Sequence, residues 1–225
     1  MRRTILLLAT MALTTLVVGG VALAKVVEGT NAGETLEGTN NPDLIKAFGG
    51  NDFLFGKDAA DVLRGGLGPD GVFGENGNDT YYGGPSDDFL SEHQGVTPLP
   101  VNGDGYTGKD VMYGGGGGDY MAAARGDDEL HGGPNPQNPR DVMIGDTGKD
   151  KLYGEDGPDN LFGEQGQDLM SGAVGDDYVD AAASETVDTP DTIRCGSGTD
   201  EVIANFNDTV ADNCEDVSYV ANPVP

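Results

Sequence analysis

The sequence predicts an all-β chain folded as a solenoid of short stacked strands, and three observations predict it. An acid recurs every nine residues, at Glu34, Asp43, Asp52, Asp61, Asp70, Asp79 and Asp88. An apolar or aromatic residue stands two places after each of these acids. Glycine stands two places before the acid in twelve of eighteen units. A short fixed period with one inward residue per unit describes a supersecondary element that buries its apolar side only by stacking on its neighbours.

With the acid as position six, the frame passes Thr97 as a degenerate unit, skips four residues and resumes at Asp110, Asp119 and Asp128. A second skip of four leads to Asp141, Asp150, Asp159, Asp168 and Asp177, and a skip of five to Asp191 and Asp200. Eighteen units then run from Gly29 to Ile203. Position eight tests this frame independently. It reads Leu36, Ile45, Leu54, Leu63, Val72, Tyr81, Leu90, Leu99, Met112, Met121, Leu130, Met143, Leu152, Leu161, Met170, Val179, Ile193 and Val202, although only 36% of the chain is hydrophobic. Composition alone favours a disordered acidic segment; this regularity excludes a flexible linker.

The chain of 225 residues holds 38 Gly and 39 acidic against 12 basic residues, a net charge of −27. That charge argues against nucleic acid, whose phosphates need Lys and Arg, and suits cations. The first 24 residues, MRRTILLLATMALTTLVVGGVALA, combine a basic start, an apolar run and Ala22-Leu23-Ala24. This is the layout of a cleaved export signal, with a retained anchor as the alternative. Loss of Arg2 and Arg3 leaves 10 basic against 39 acidic residues, net −29. The mature chain is expected to be secreted, without stable membrane insertion, into an oxidising, calcium-containing medium. There Cys195 and Cys214, the two cysteines of the chain, are expected to pair.

The segment Gly65–Phe73, GGLGPDGVF, fits the nonapeptide GGxGxDxUx at every defined position, U being a large apolar residue. Gly114–Ala122, Gly145–Tyr153, Gly154–Phe162 and Gly163–Ser171 fit it closely. The chain thus resembles the RTX-type (hemolysin-type) calcium-binding repeat proteins, here of a Sec-exported kind. The resemblance implies a right-handed parallel β-roll of about 18 units and nine turns, roughly 43 Å long at about 4.8 Å per strand. With the N-terminal segment read above, the expected division is a signal (1–24), a roll (25–203) and a disulfide-stapled C-terminal cap and tail (204–225). In the cap, Asp208 with Val210 and Glu215 with Val217 still echo the pattern.

The family's calcium ions sit between loops 18 residues apart, and calcium prefers six to eight carboxylate and carbonyl oxygens. One edge is expected to carry Glu34, Asp52, Asp70, Asp88, Asp110, Asp128, Asp150, Asp168 and Asp191. The other carries Asp43, Asp61, Asp79, Thr97, Asp119, Asp141, Asp159, Asp177 and Asp200. Glu34 and Asp43 are the weaker ligands, because Ala32 and Asn41 replace the position-four glycine; Pro139 and Thr189 replace it before Asp141 and Asp191. Setting aside the pairs with Glu34 and Thr97 leaves thirteen expected sites, nearly enough charge to neutralise the mature chain. Folding is expected to be coupled to their filling.

The inserted stretches VNGDGYTGKD, HGGPNPQNPRD and AAASETVDTPD are either functional loops or tolerated bulges. Position nine of one sheet is expected to stack Phe55, Phe73, Ser91, Tyr113, His131 and Tyr153, joined by Phe53 and Phe89 from position seven. Phe55, Phe73, Tyr113 and Tyr153 would then be a partner face for a glycan or protein, as in an adhesin or matrix component; the alternative is cross-strand stacking that only stabilises the sheet. The sequence contains neither H-E-x-x-H nor G-x-S-x-G, and its two histidines are His93 and His131. No catalytic residue is assigned; a calcium-assisted polysaccharide lyase is the enzymatic alternative, tested by assay on acidic polysaccharides.

Overall fold

Each nonapeptide has to place one apolar side chain inward and reverse direction within the remaining residues. A short strand followed by a tight loop does both. The computed structural model describes residues 24–92, 107–134, 139–182 and 189–220; residues 1–23 of the expected export signal, Thr97, His93 and parts of all three inserted stretches lie outside them. Its strands form two parallel sheets facing each other across one narrow core. The first stacks Val26–Glu28, Leu44–Gly49, Val62–Leu67, Thr80–Pro85, Val111–Gly116, Glu129–Pro134, Lys151–Asp156, Leu169–Val174, Thr192–Ser197 and Thr209–Val210. The second stacks Thr35–Glu37, Phe53–Asp58, Gly71–Asn76, Phe89–Ser91, Tyr120–Ala122, Val142–Gly148, Asn160–Gly166, Tyr178–Asp180, Glu201–Asn205 and Asp216–Val220. Strands of these two stacks alternate along the chain, so two units make one turn and ten stacked strands on each side give about nine turns; the short strands Thr107–Gly108 and Arg125–Gly126 pair beside the second stack and bring that sheet to twelve. Among the described residues no helix is long and apolar enough to cross a membrane.

Register follows the side-chain period of two. Every described position-eight residue is buried, and these residues stack in line, as Ile45 on Leu63 or Leu161 on Val179. The loops turn through left-handed backbone at positions two and four. Position four is mostly glycine, as at Gly68 (φ +105°) and Gly157 (φ +131°). Position two accepts side chains there: Lys57 (φ +91°), Glu75 (φ +71°), Asp146 (φ +74°), Glu155 (φ +72°) and Ala173 (φ +77°) are all left-handed. Left-handed backbone costs roughly 1–2 kcal/mol per non-glycine residue, so these loops store strain that their interactions must offset.

Two expectations change. The unit at Thr97 is not a step of the stack: Thr80–Pro85 pairs directly with Val111–Gly116, and Phe89–Ser91 with Tyr120–Ala122. The chain steps 31 residues there in place of 18, and the loss of one half-turn exchanges the two edges for everything downstream. Asp43, Asp61, Asp79, Asp110, Asp128, Asp150, Asp168 and Asp191 therefore share one edge. Glu34, Asp52, Asp70, Asp88, Asp119, Asp141, Asp159, Asp177 and Asp200 share the other. For the same reason the expected aromatic stack divides. Tyr82, Tyr113, His131 and Tyr153 stack on the first sheet at 4.9–5.2 Å, with Arg64 over Tyr82. Phe55, Phe73, Phe89 and Tyr120 form a chain of ring contacts on the second.

Both ends extend the stack. Val27 adds a buried residue one unit before Gly29, and the Lys25 amide donates to Asp43 Oδ1 at 2.7 Å. At the other end Thr209–Val210 and Asp216–Val220 add a strand to each sheet. The Cys195–Cys214 disulfide ties them down from the core side, where Cys195 is fully buried.

Candidate metal-binding edges

The site is a column of carboxylates along each edge. A carboxylate at position six has a short stem, and the strand that follows fixes its backbone. In each of fourteen Asp–Asp pairs, seven per edge, the backbone N–H of one Asp donates to Oδ1 of the Asp one turn on. Asp52 to Asp70 (2.9 Å), Asp110 to Asp128 (2.8 Å) and Asp150 to Asp168 (2.8 Å) are examples. The columns close at Asp208 and Glu215, which accept from Asp191 (2.9 Å) and Asp200 (3.2 Å). At the N-terminus Glu34 differs: its carboxylate accepts from Thr30 in its own loop, while its amide donates to Asp52. Asp43 resembles the later aspartates on one oxygen and binds its own loop, through the Thr39 amide, with the other.

The second oxygen carries the chemistry. Oδ2 of Asp52, Asp61, Asp70, Asp79, Asp88, Asp110, Asp119, Asp128, Asp150, Asp159, Asp177 and Asp200 is buried and receives no hydrogen bond. Buried carboxylates are costly unless paired or coordinated. For Asp61, Asp70, Asp79, Asp88, Asp119, Asp150, Asp159 and Asp177 this oxygen borders a space that exists because position one is glycine; Ala47, Ala123 and Cys195 hold that position before Asp52, Asp128 and Asp200. A Cβ built on Gly56 would lie 2.5 Å from Asp61 Oδ2 and 2.7 Å from the Gly74 carbonyl oxygen one turn on. On Gly145 it would lie 2.6 Å from Asp150 Oδ2 and 2.9 Å from the Gly163 carbonyl oxygen, and on Gly154 2.6 Å from Asp159 Oδ2 and 2.8 Å from that of Gly172. Carboxylate and carbonyl oxygens thus converge from adjacent turns, with neither nitrogen nor sulfur donors. That set fits a hard divalent cation of the calcium type.

Electrostatics reflects the cost of burying these carboxylates. Burial pushes the carboxyls of Asp61, Asp79, Asp88, Asp128 and Asp150 up to about 7, and those of Asp119 and Asp159 to about 8. The amide from the preceding turn opposes the shift, and neighbouring carboxylates add to it. Asp70 and Asp177 rise to about 6 for the same reasons.

The profile of the RTX calcium-binding nonapeptide repeat matches four segments, residues 28–59, 55–90, 104–134 and 141–179, together more than half of the chain. The chain belongs to the RTX calcium-binding nonapeptide-repeat family. Calcium is accordingly the cation of these repeats, and RTX calcium-binding proteins are typically extracellular. A search of curated proteins returned no match.

Some features of this RTX roll were not read from the sequence. Glu92 is buried beside Asp79 and Asp110, and one carboxylate oxygen from each lies within 4.8 Å of the other two. The available signal was an acid opening the degenerate unit, where the repeat otherwise has glycine or another small residue. On the outer face of the second sheet Phe55 and Phe73 are buried by their neighbours, only Phe53 of that group being more than half exposed. His131, stacked between Tyr113 and Tyr153 as expected, lies in addition 3.2 Å from Glu129 and 3.0 Å from Glu155.

Proposed function

We propose that the protein is an exported, multi-site calcium binder whose folding is coupled to cation loading, with the sixth-position aspartates as ligands. One observation carries the reading: two columns of buried carboxylate oxygens without hydrogen-bond donors, with a carbonyl oxygen of the next turn beside those of Asp61, Asp88, Asp119, Asp150, Asp159 and Asp177. Fourteen Asp–Asp steps would bring a charge of +28 against the −29 of a chain cleaved after Ala24. At free calcium of about ten times Kd each site contributes roughly 1.4 kcal/mol, on the order of 20 kcal/mol in all. Typical domain stability is about 5–15 kcal/mol, so the cations would decide between coil and roll. Equilibrium dialysis together with far-UV circular dichroism, in calcium and in chelator, tests this. Binding of about fourteen ions with a coil-to-strand transition is expected; one or two ions, or identical spectra, would refute it.

A second reading adds a partner. A groove of about 750 Å³ opens on the second sheet where Gly71 takes the place held by Phe53 and Phe89 in the neighbouring turns. Phe53, Phe55, Phe73 and Phe89 line it, with Asp52, Asp70 and Asp88 alongside. Aromatic faces beside polar groups suit a glycan or a protein loop. Phe53→Ser should abolish binding to a partner found by glycan array while leaving calcium stoichiometry unchanged; retained binding removes this reading.

A further inference from the structure

The roll is interrupted once in a way that changes its chemistry. After Phe89–Ser91 the described stack continues to Glu92 and next resumes at Thr107–Gly108, ahead of Asp110. Glu92 still occupies the stack: Glu75 N–H donates to its carbonyl at 3.1 Å, and its own N–H donates to Ala122 O at 3.4 Å. It therefore stands where Gly74 stands in the turn before and Ala123 in the turn after. It is the one described place where position one carries a charge.

Where glycine would leave a space, Glu92 puts a carboxylate. Its side chain turns toward the core, 1% exposed, and meets the Tyr81 hydroxyl, which donates to Oε1 at 2.7 Å. Tyr81 is itself the single tyrosine among the position-eight residues. Taken as carboxylates, Glu92 Oε2, Asp79 Oδ2 and Asp110 Oδ2 are buried and receive no hydrogen bond, and the Glu92 and Asp110 carboxyls lie within hydrogen-bond reach of each other. The three side chains are 1%, 1% and 0% exposed, and no Lys or Arg forms a salt bridge with any of them among the described residues. Three formal negative charges in one dry pocket cannot persist uncompensated.

We propose that Asp79, Glu92 and Asp110 form a distinct calcium site at this seam, with three carboxylates where the ordinary inter-turn position has two. The inference rests on calcium binding by the repeats and adds a residue outside the repeat pattern. The extra carboxylate makes the seam the tightest position of the roll, since affinity for calcium rises with ligand charge. Glu92 and Asp110 stand at the exit and the return of the inserted stretch, so one cation also clamps both of its ends. Clamping offsets the entropy of closing that longer connection.

Terbium is the probe, because it substitutes for calcium and the chain has no tryptophan to mask tyrosine-sensitised emission. In the wild-type chain the first terbium equivalent should give sensitised emission, and Tyr81→Phe should remove most of it. Glu92→Gln should weaken that first phase at least tenfold and lower calcium stoichiometry in dialysis by one. Glu92→Gly installs the ordinary repeat residue, which keeps the test open if Gln disturbs folding; it should bind calcium at the seam no more tightly than at the other positions and lack the tight phase. Hydrogen exchange in Val111–Gly116 should accelerate in both variants. An unchanged tight phase and stoichiometry in both would overturn the proposal and leave a proton shared between Glu92 and Asp110. A wild-type chain that binds no calcium would instead overturn the functional reading beneath it.

Discussion

Replacing Asp150 by Asn should have opposite effects with and without calcium. In the fold, Asp150 Oδ1 accepts from the Asp128 amide at 2.8 Å, and Asn retains that acceptor. Oδ2 is buried without a donor beside the Gly163 carbonyl, and Asn turns it into a donor group. Burial, with Asp128, Asp127 and Asp146 nearby, raises the carboxyl from 3.8 to about 7. A raised carboxyl contributes stability that is complete below the unfolded value and is lost as pH rises through the folded one. At pH 8 the calcium-free wild type therefore carries a penalty on the order of 4 kcal/mol that Asn lacks. In calcium the sign reverses. Asp150 borders two inter-turn positions, toward Asp128 and Asp168; at calcium 100-fold above Kd two ions contribute about 5 kcal/mol. The assay is far-UV circular dichroism from pH 4 to pH 9 in chelator, and thermal melting in calcium at pH 8. The variant should hold strand signal to higher pH in chelator and melt lower in calcium. Equal destabilisation in both media would show that the carboxylate does not await a cation.

Further outcomes follow from the same geometry. Gly56→Ala places a methyl between Asp61 Oδ2 and the Gly74 carbonyl and should cost at least one bound ion, whereas Gly116→Ala, whose Cβ would meet only Pro134 O at 3.5 Å, should bind the full complement; dialysis distinguishes them. Because carboxyls along both edges rise to about 6–8, calcium added at pH 7 to an unbuffered sample should release protons, several per chain by pH-stat, and apparent affinity should fall as pH drops through that range. Removing the Cys195–Cys214 bridge, which spans 19 residues, should cost about 3 kcal/mol; hydrogen exchange should rise first in Thr209–Val210 and Asp216–Val220, and a uniform rise along the roll would contradict the capping role.

Local chemistry was legible in the sequence by itself. The nine-residue period, the inward column from Leu36 to Val202, the acids at position six and the pairing of two cysteines all follow from residue types at fixed spacing. Each unit repeats the same local problem, and stacking gives it the same solution. What the tertiary structure decided is everything that depends on counting turns. Whether Asp110 lies under Asp79 or Asp88 depends on whether the stretch around Thr97 completes a half-turn, and no residue near Asp110 records that. Once the half-turn is lost, every downstream acid changes edge, Tyr113 stacks on Tyr82 in place of the expected Ser91, and Glu92 comes to face Asp79 and Asp110. The left-handed side chains at position two were also illegible, because hydrogen bonding between turns, not residue preference, holds Lys57 or Glu155 there. In a parallel stack, face follows from the period of two, while neighbour follows only from the cumulative length of chain between turns.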